Sequence, residues 1–572
     1  MNRSARQILW LLMGLWLILT VVMLYSRPFS SGVNQLQYLS IAWQMWQSHS
    51  WLLPHIANRF DLSHPPLFYW LILGGWHLLG VVNWWPKLLV MLISLAAICQ
   101  TYALSKQLWP HCEMVHWLAP AILVGAYFWI DYSTFIRFDI LESYFVLLAL
   151  TGIQLWYRRR PIGWLLFVIA SGLGLLVEGI MLWLFIVPVV LLIPVWWQRD
   201  RPLFMWYMTS FLAILCALAI AATWWVPVYQ LLGLSVAWHF LLAQFASHGL
   251  TVHLHYFLPL VGNFLPWTLW PPLWLGLALS FRYALKDKGL RFLIWVILPV
   301  LLVLIFLSTH DANRQLIPLY PVVALWLARG IAMLSVARRG QVARWMGWPF
   351  GLVLIVTGLV WIGLSYYAQL ALMHPLWLAR LPPTLGAVLV LIGGFWLFWR
   401  RLCELSIGSF CLSMTGVILM IIIAIGWWQP YGQYINLQPI ARYVAKLHAE
   451  GEQVMNASVE VGYDQPGGAW CQRDKLCDLP IQKLLFLGRL EALVPNISGQ
   501  RQIVSWVKKH PDAWILTSDQ TRYFPAGGFW QPVRWWPFIV QQDFFRKRMG
   551  IIEIWRASDY LQFLQHQQHV SK

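Results

Sequence analysis

With 572 residues, 60% of them hydrophobic and only 11% charged, the chain is excluded from the ordinary soluble class, in which about a quarter of residues are charged. Composition makes it a polytopic membrane protein. A net charge of +18 would suggest nucleic acid in a soluble protein, but in a membrane protein basic residues gather in cytoplasmic loops against anionic headgroups, and 41 dispersed tryptophans suit interfacial belts, so a nucleic-acid partner is excluded.

The first apolar run, Ile8 to Tyr25, is long for a signal-peptide core and has no small-residue cleavage site after it, so it reads as a retained signal anchor. A polar stretch follows, with Asn34, Gln35, Gln37, His55, Asn58, Arg59, Asp61 and His64, then two prolines and an aromatic cluster that includes Tyr69. Such a loop among apolar segments reads as the wall of an active site.

Thirteen further or flanking stretches, counting the first, have spanning length: 8–25, 88–105, 117–134, 140–156, 163–178, 180–197, 203–227, 257–281, 292–308, 315–336, 346–368, 383–399 and 405–427. The segment 67–82 is marginal, broken by Gly74, Gly75 and His77, and the positive-inside rule decides its place. If it lies along the surface as an interfacial helix, the basic clusters Arg158–Arg160, Arg199/Arg201, Arg282 to Arg291, Arg338 to Arg344 and Arg400/Arg401 all fall on the side of the N-terminus. Thirteen spans with a cytoplasmic N-terminus then send the chain after Trp428 outside.

Two domains are expected: 1–428, an all-α polytopic membrane domain with interfacial helices in the first exterior loop, and 429–572, a small exterior α/β domain. The tail carries most of the acids, turn signals at Gln465-Pro-Gly-Gly, a helix-like stretch at 501–510 and a strand-like one at Ala513–Thr517. Cys471 and Cys477, with five residues between them in a polar loop, can close a disulfide in an oxidising compartment, and the other five cysteines have no metal-ligand spacing.

Before the tail, six acids fall at exterior ends of spans or in exterior loops: Asp61, Asp131, Asp139, Glu142, Glu178 and Asp311. Acids in a nearly uncharged membrane body are costly and therefore functional candidates. Asp139, in FIRFDILES, opens a span; it is either a helix-start acid favoured by the macrodipole or a catalytic one. Arg314, in STHDANRQLIPLYP, suits bidentate contact with a phosphate, or else pairs with one of the exterior acids. His239, His248, His253 and His255 share one loop, but their spacing without a cysteine or acid assigns no metal, and a divalent cation is left open.

The ordered set HPPLFYWLILGGWHLLGV, FIRFDILESYF, GLGLLVEG, VGNFLPWTLWPP and STHDANRQLIPLYP resembles the GT-C type membrane glycosyltransferases of the protein O-mannosyltransferase superfamily, most closely the bacterial branch of lipid A aminoarabinose transferases. The resemblance covers about 1–430. It implies transfer of a sugar from a polyprenyl-phosphate carrier to a glycolipid, glycan or protein acceptor at the periplasmic face of the bacterial inner membrane. It further implies that His64, Arg59, Arg314, Tyr320, Tyr69 and Glu178 bind the donor and that Asp139, Asn34 or Asp61 does the proton chemistry.

Asp139, Arg314, Pro318, Tyr320 and the Pro65-Pro66-Leu67 turn match the family pattern. Three positions depart from it: the expected acid is Asn34, the lysine before the proline pair is His64, and the lysine of GLGLLVEG is Glu178. An amide hydrogen-bonds a hydroxyl but cannot take its proton as a base. Two other classes follow, a silent relative that binds polyprenyl-phosphate sugars or assists a partner enzyme, and a transporter of lipid-linked sugar. The second lacks the paired broken helices and repeats of secondary transporters.

Overall fold

A helix that is apolar all round is stable only inside a large core or a bilayer, and most helices of this chain are of that kind. The structure, a computed structural model, describes residues 3–27, 29, 35–56, 59–61, 64–196, 203–233, 261–306, 315–370, 381–434, 436–458, 485–490, 496–498, 500–519, 533–539 and 549–559. Its Cα framework divides into two compact units, Met1–Ser26 with Leu62–Trp428, and Arg27–Asp61 with Gln429–Lys572.

Among its described residues the first unit is helical apart from an isolated bridge between Gln341 and Glu404. Among the described residues eight helices are long and apolar enough to cross a membrane, or nine if Glu113–Gly125 and Tyr127–Ser133, bent by 67°, form one broken span. Each of the thirteen apolar segments contributes helix among the described residues. The shorter helices carry prolines: Met181–Leu191 has Pro188 inside it and ends after 11 residues, and Pro271–Tyr283 and Pro383–Phe398 begin at proline pairs and reach 13 and 16 residues.

The helices that frame the site come from the first part of the chain. Helix α1 (Arg3–Ser26) leads the unit. After the first polar loop, whose own helix α2 (Gln35–Gln47) belongs to the other unit, come α3 (Leu67–Leu79) and α4 (Trp85–Leu108). The broken pair supplies α5 (Glu113–Gly125) and α6 (Tyr127–Ser133), and then α7 (Asp139–Tyr157) and α8 (Pro161–Glu178) run as an antiparallel pair. Phe68, Tyr69, Ile72, Leu73 and Trp76, at helical spacing, form the buried face of α3. Gly75 leaves the room that the Trp85 indole fills, since a Cβ there would strike the ring. Between α7 and α8, Gly152 meets Gly163, and a Cβ on Gly152 would lie 2.8 Å from the Gly163 carbonyl oxygen. Small residues thus let the two helices approach closely, as is common between membrane helices.

At the end of the unit away from the start of α7, Asp287 acts as a charge partner. Its carboxylate accepts hydrogen bonds from Gly289 N (2.9 Å), Leu290 N (3.0 Å) and Trp109 Nε1 (2.8 Å), and its other oxygen pairs with Arg329 at 2.7 Å. It starts the helix Lys288–Phe306 and ties it to two others.

The second unit is mixed. It holds α2, the short hairpin of β1 (His55–Ile56) and β2 (Arg59–Phe60), and a five-stranded sheet in the order β4-β3-β5-β7-β6. Strand β3 (Val454–Ser458) runs parallel to β4 (Asn496–Ser498) and to β5 (Trp514–Asp519); β7 (Met549–Arg556) runs antiparallel to β5 and to the edge strand β6 (Val533–Ile539). The register of β6 shifts between Trp535 and Pro537, where the proline has no N–H to give a ladder. Met455, Ile503, Val507, Ala513, Ile515 and Ala557 form its core under the helix Gln500–Lys509.

The segment 27–61 clusters with the chain after 428. Trp43 Nε1 donates to the Leu490 carbonyl at 3.0 Å, and the Arg489 guanidinium lies 4.1 Å over the Phe486 ring and 5.0 Å over the Trp43 ring. Burial pushes the Arg489 guanidinium down to about 10. Cys471 and Cys477 lie outside the described residues. The five described cysteines, Cys99, Cys112, Cys216, Cys403 and Cys411, form no disulfide.

Candidate functional site

Pro65 and Pro66 fix two successive φ angles and lead the chain into α3. The head of α3 and the end of α8 come together, so His64 Nε2 stands 3.8 Å from Glu178 Oε1, with both side chains largely buried. The imidazole stacks on the Phe138 ring, with centroids 4.4 Å apart and planes 20° from parallel. Phe138 also meets Phe68 at 4.7 Å and Tyr69 at 5.3 Å. An aromatic wall therefore holds the histidine in place from α3 and α7.

The two helix ends in this site have opposite electrostatics. Phe138 caps α7, so Asp139 is its first residue and Glu142 lies one turn on, on the same face. Both are buried, at 2% and 5% exposure, and both sit at the positive end of the helix dipole, where a carboxylate is favoured. Glu178 closes α8 at the negative end, where a carboxylate is disfavoured, and the chain turns away at Gly179 with φ 65°.

A second cluster continues from the same element. The Arg137 guanidinium lies 5.0 Å over the Tyr132 ring and 5.4 Å over Phe135. Tyr132 packs on Phe128 (4.3 Å), which meets Tyr320 (5.7 Å), and Tyr320 also meets Phe264 (5.2 Å). Asn263 Nδ2 donates to the Tyr320 hydroxyl at 2.7 Å. The turn Ile317–Leu319, just before Tyr320, packs against α7. Tyr320 is fully buried in this arrangement, which makes it a brace for the chain that follows Arg314.

The structure thus gathers His64, Tyr69, Glu178 and Asp139 around Phe138 and connects them through Arg137 and Tyr132 to Tyr320. Asp61 and Arg59 belong to the other unit. There, the Asp61 amide donates to the Pro54 carbonyl at 2.8 Å, and Arg59 pairs in register with Ile56 in the hairpin. Asn34, Arg314, Asp311 and the four clustered histidines lie outside the described residues. Among the described residues no three of His, Cys, Asp and Glu come together as a metal site.

Two members escaped the sequence reading as site residues, while Glu142 was among its six candidate acids. Asn263 carried a weak signal, a lone amide in an apolar run. Phe138 carried none, because its importance comes only from the three rings it meets.

No family model matches the chain. Among curated proteins it is similar to the undecaprenyl phosphate-alpha-4-amino-4-deoxy-L-arabinose arabinosyl transferase of Pseudomonas aeruginosa strain UCBPP-PA14, 26% identical over 405 residues, or 66% of this chain and 70% of the relative. The enzyme of the same name in Aeromonas salmonicida strain A449 is 25% identical over 364 residues, covering 60% and 64%. Among solved structures, ArnT from Cupriavidus metallidurans bound to undecaprenyl phosphate aligns with a TM-score of 0.64 at 16% identity, covering 95% of this chain and 97% of that one. Its apo state aligns with a TM-score of 0.65 at 17% identity, covering 96% and 98%. At these identities the two solved structures show a shared fold along nearly the whole chain.

Proposed function

We propose that this chain, a divergent member of the GT-C type membrane glycosyltransferases, transfers a sugar from a polyprenyl-phosphate-linked donor to an envelope acceptor. The acceptor is a glycolipid such as lipid A, another glycan or a protein, and the site faces the periplasm from the bacterial inner membrane. The observation that carries this is the buried acid pair at the start of α7, next to the Phe138 ring on which His64 stacks, in a fold whose solved neighbour is bound to undecaprenyl phosphate.

In an inverting displacement the acceptor oxygen forms a bond to the anomeric carbon and gives its proton to a base. The bond from that carbon to the phosphate oxygen breaks, and polyprenyl phosphate leaves with the electron pair. Cations stabilise the charge that develops there. Asp139 is the proposed base, with Asn34 or Asp61 the other positions that the family pattern offers. His64 is the proposed cation, and Arg59 and Arg314 carry the same proposed role. Tyr69, Tyr320 and Glu178 shape the donor site.

Purified full-length protein in vesicles containing a polyprenyl-phosphate sugar and extracted envelope glycolipids should yield a sugar-modified acceptor, read by mass spectrometry. One feature favours a second reading, the amide at Asn34 where an acid is expected. Binding of the lipid-linked donor without any product, across several donors, would move the assignment to a silent relative. Passage of the donor across sealed vesicles without product would indicate a transporter.

The orientation proposed from the basic loops places the N-terminus in the cytoplasm and the second unit in the periplasm. A cysteine introduced at Ser518 should react with an impermeant reagent added from outside, and one at Gly340 should not. Reaction at Gly340 from outside sinks that orientation.

A further inference from the structure

Helix α7 has 19 residues and so rises about 28 Å from Asp139 to Tyr157, close to the thickness of a bilayer core. At its far end an open groove of about 470 Å³ lies between the turn joining α7 to α8 and the helix Leu203–Leu232. Trp156, Arg159, Arg160, Trp164, Thr209 and Leu212 line it. We propose that this groove binds the phosphate headgroup of an anionic phospholipid, whose acyl chains run down between α8 and the helix Leu203–Leu232.

Three layers of the groove match the three parts of such a lipid. Its rim has two guanidinium groups. Arg158 is spent on the Gln107 carbonyl, whereas Arg159 and Arg160 are exposed and form no ion pair among the described residues. Arg159 also holds φ at 61°, a left-handed conformation that glycine ordinarily supplies at a helix end, so an arginine is kept where the backbone does not favour one. Planar guanidinium groups bind phosphate oxygens in pairs and are weakly hydrated.

The middle layer is indole. Trp164 Nε1 donates to the Thr209 carbonyl at 3.1 Å, joining α8 to the neighbouring helix across the floor, and Trp156 is stacked on Trp206 at 4.2 Å and 23°. Tryptophan favours the depth of glycerol and ester groups. Below it the two helices present exposed apolar side chains, Ile162, Leu165 and Ile169 on one, and Phe211, Leu212 and Leu215 on the other. A soluble phosphate would use only the rim, while a phospholipid uses all three layers. Basic pockets between spans are a recurring form of anionic lipid site.

The test is native mass spectrometry of the full-length protein in mild detergent, titrated with phosphatidylglycerol, phosphatidylethanolamine of the same chains, and glycerol phosphate. Wild type should bind phosphatidylglycerol well ahead of the other two. The double substitution Arg159→Gln/Arg160→Gln should weaken that binding roughly ten- to thirtyfold, from the surface attraction of two basic residues. The matched change Arg338→Gln/Arg339→Gln should leave it intact, and Arg159→Lys/Arg160→Lys, which keeps the charge, should retain most of it. Elution of each variant as a single species in size-exclusion chromatography checks folding, and Arg159→Gln alone serves if the double variant fails that check. Equal phosphatidylglycerol binding by wild type and the glutamine variant overturns the proposal. So does equal affinity for phosphatidylethanolamine, or binding of glycerol phosphate as tight as that of the lipid.

Discussion

Replacing Asp139 with alanine should lower sugar transfer by about 100- to 10,000-fold, the usual range for loss of a general base, while the protein still folds. Asparagine should be nearly as damaging, because the amide keeps the shape and the hydrogen-bond acceptor but cannot hold the proton. A purely structural role for this carboxylate makes a different forecast. An acid in the first turn of a helix contributes about 0.3–1 kcal/mol, and up to about 2 kcal/mol when partly buried. Loss of that contribution would move the unfolding midpoint a few degrees and leave turnover untouched in the cold. Turnover by purified variants, measured well below the unfolding transition, separates the two. Full activity in Asp139→Ala removes the assignment, and the base must then be sought at Asp61 or elsewhere. Asn34→Asp completes the test. If Asp139 is the base, the added acid at position 34 changes the rate little. If position 34 is still the base position, Asn34→Asp raises it strongly.

The elements of this site differ in how far the linear sequence exposed them. Asp139, Glu142 and Glu178 could be picked out because the membrane body has almost no other charge, so any acid near a span end stands out on energetic grounds. Proximity was another matter. That His64 faces Glu178 depends on α3 and α8 meeting in the folded chain. No spacing rule relates residues on helices so far apart in the chain. The same holds for Asn263 and Tyr320, which meet through a hydrogen bond between two apolar stretches.

Hydrophobic length located each helix, but the prolines inside or at the start of the shorter described helices, Pro188, Pro271 and Pro383, bound them in a way that a hydropathy window does not register. The membership of 27–61 was hidden for a related reason. Its link to the later chain is a guanidinium held between Trp43 and Phe486, a contact without a periodic signature.

Exchange of His64 for alanine should cost about 10- to 150-fold in transfer, the size of a hydrogen bond to a charged group of 1.5–3 kcal/mol. His64→Lys, which restores the cation of the family pattern, should recover most of that loss. The two substitutions distinguish what the imidazole does. A lysine at this position can neutralise a phosphate but, protonated, cannot accept a proton, so activity in His64→Lys means that the residue serves as a cation at the leaving group. An inactive His64→Lys that folds would instead make the imidazole a proton acceptor and displace Asp139 from that role. Glu178 enters through the 3.8 Å contact. If it holds the histidine in its charged form at the unfavourable end of α8, Glu178→Gln should weaken transfer in wild type and have little further effect once His64 is alanine. Residues in direct contact typically show coupling of about 0.5–3 kcal/mol in such a cycle. Strict additivity of the two losses would mean that the carboxylate and the imidazole act separately, and that the paired departure at these two positions does not form one working unit.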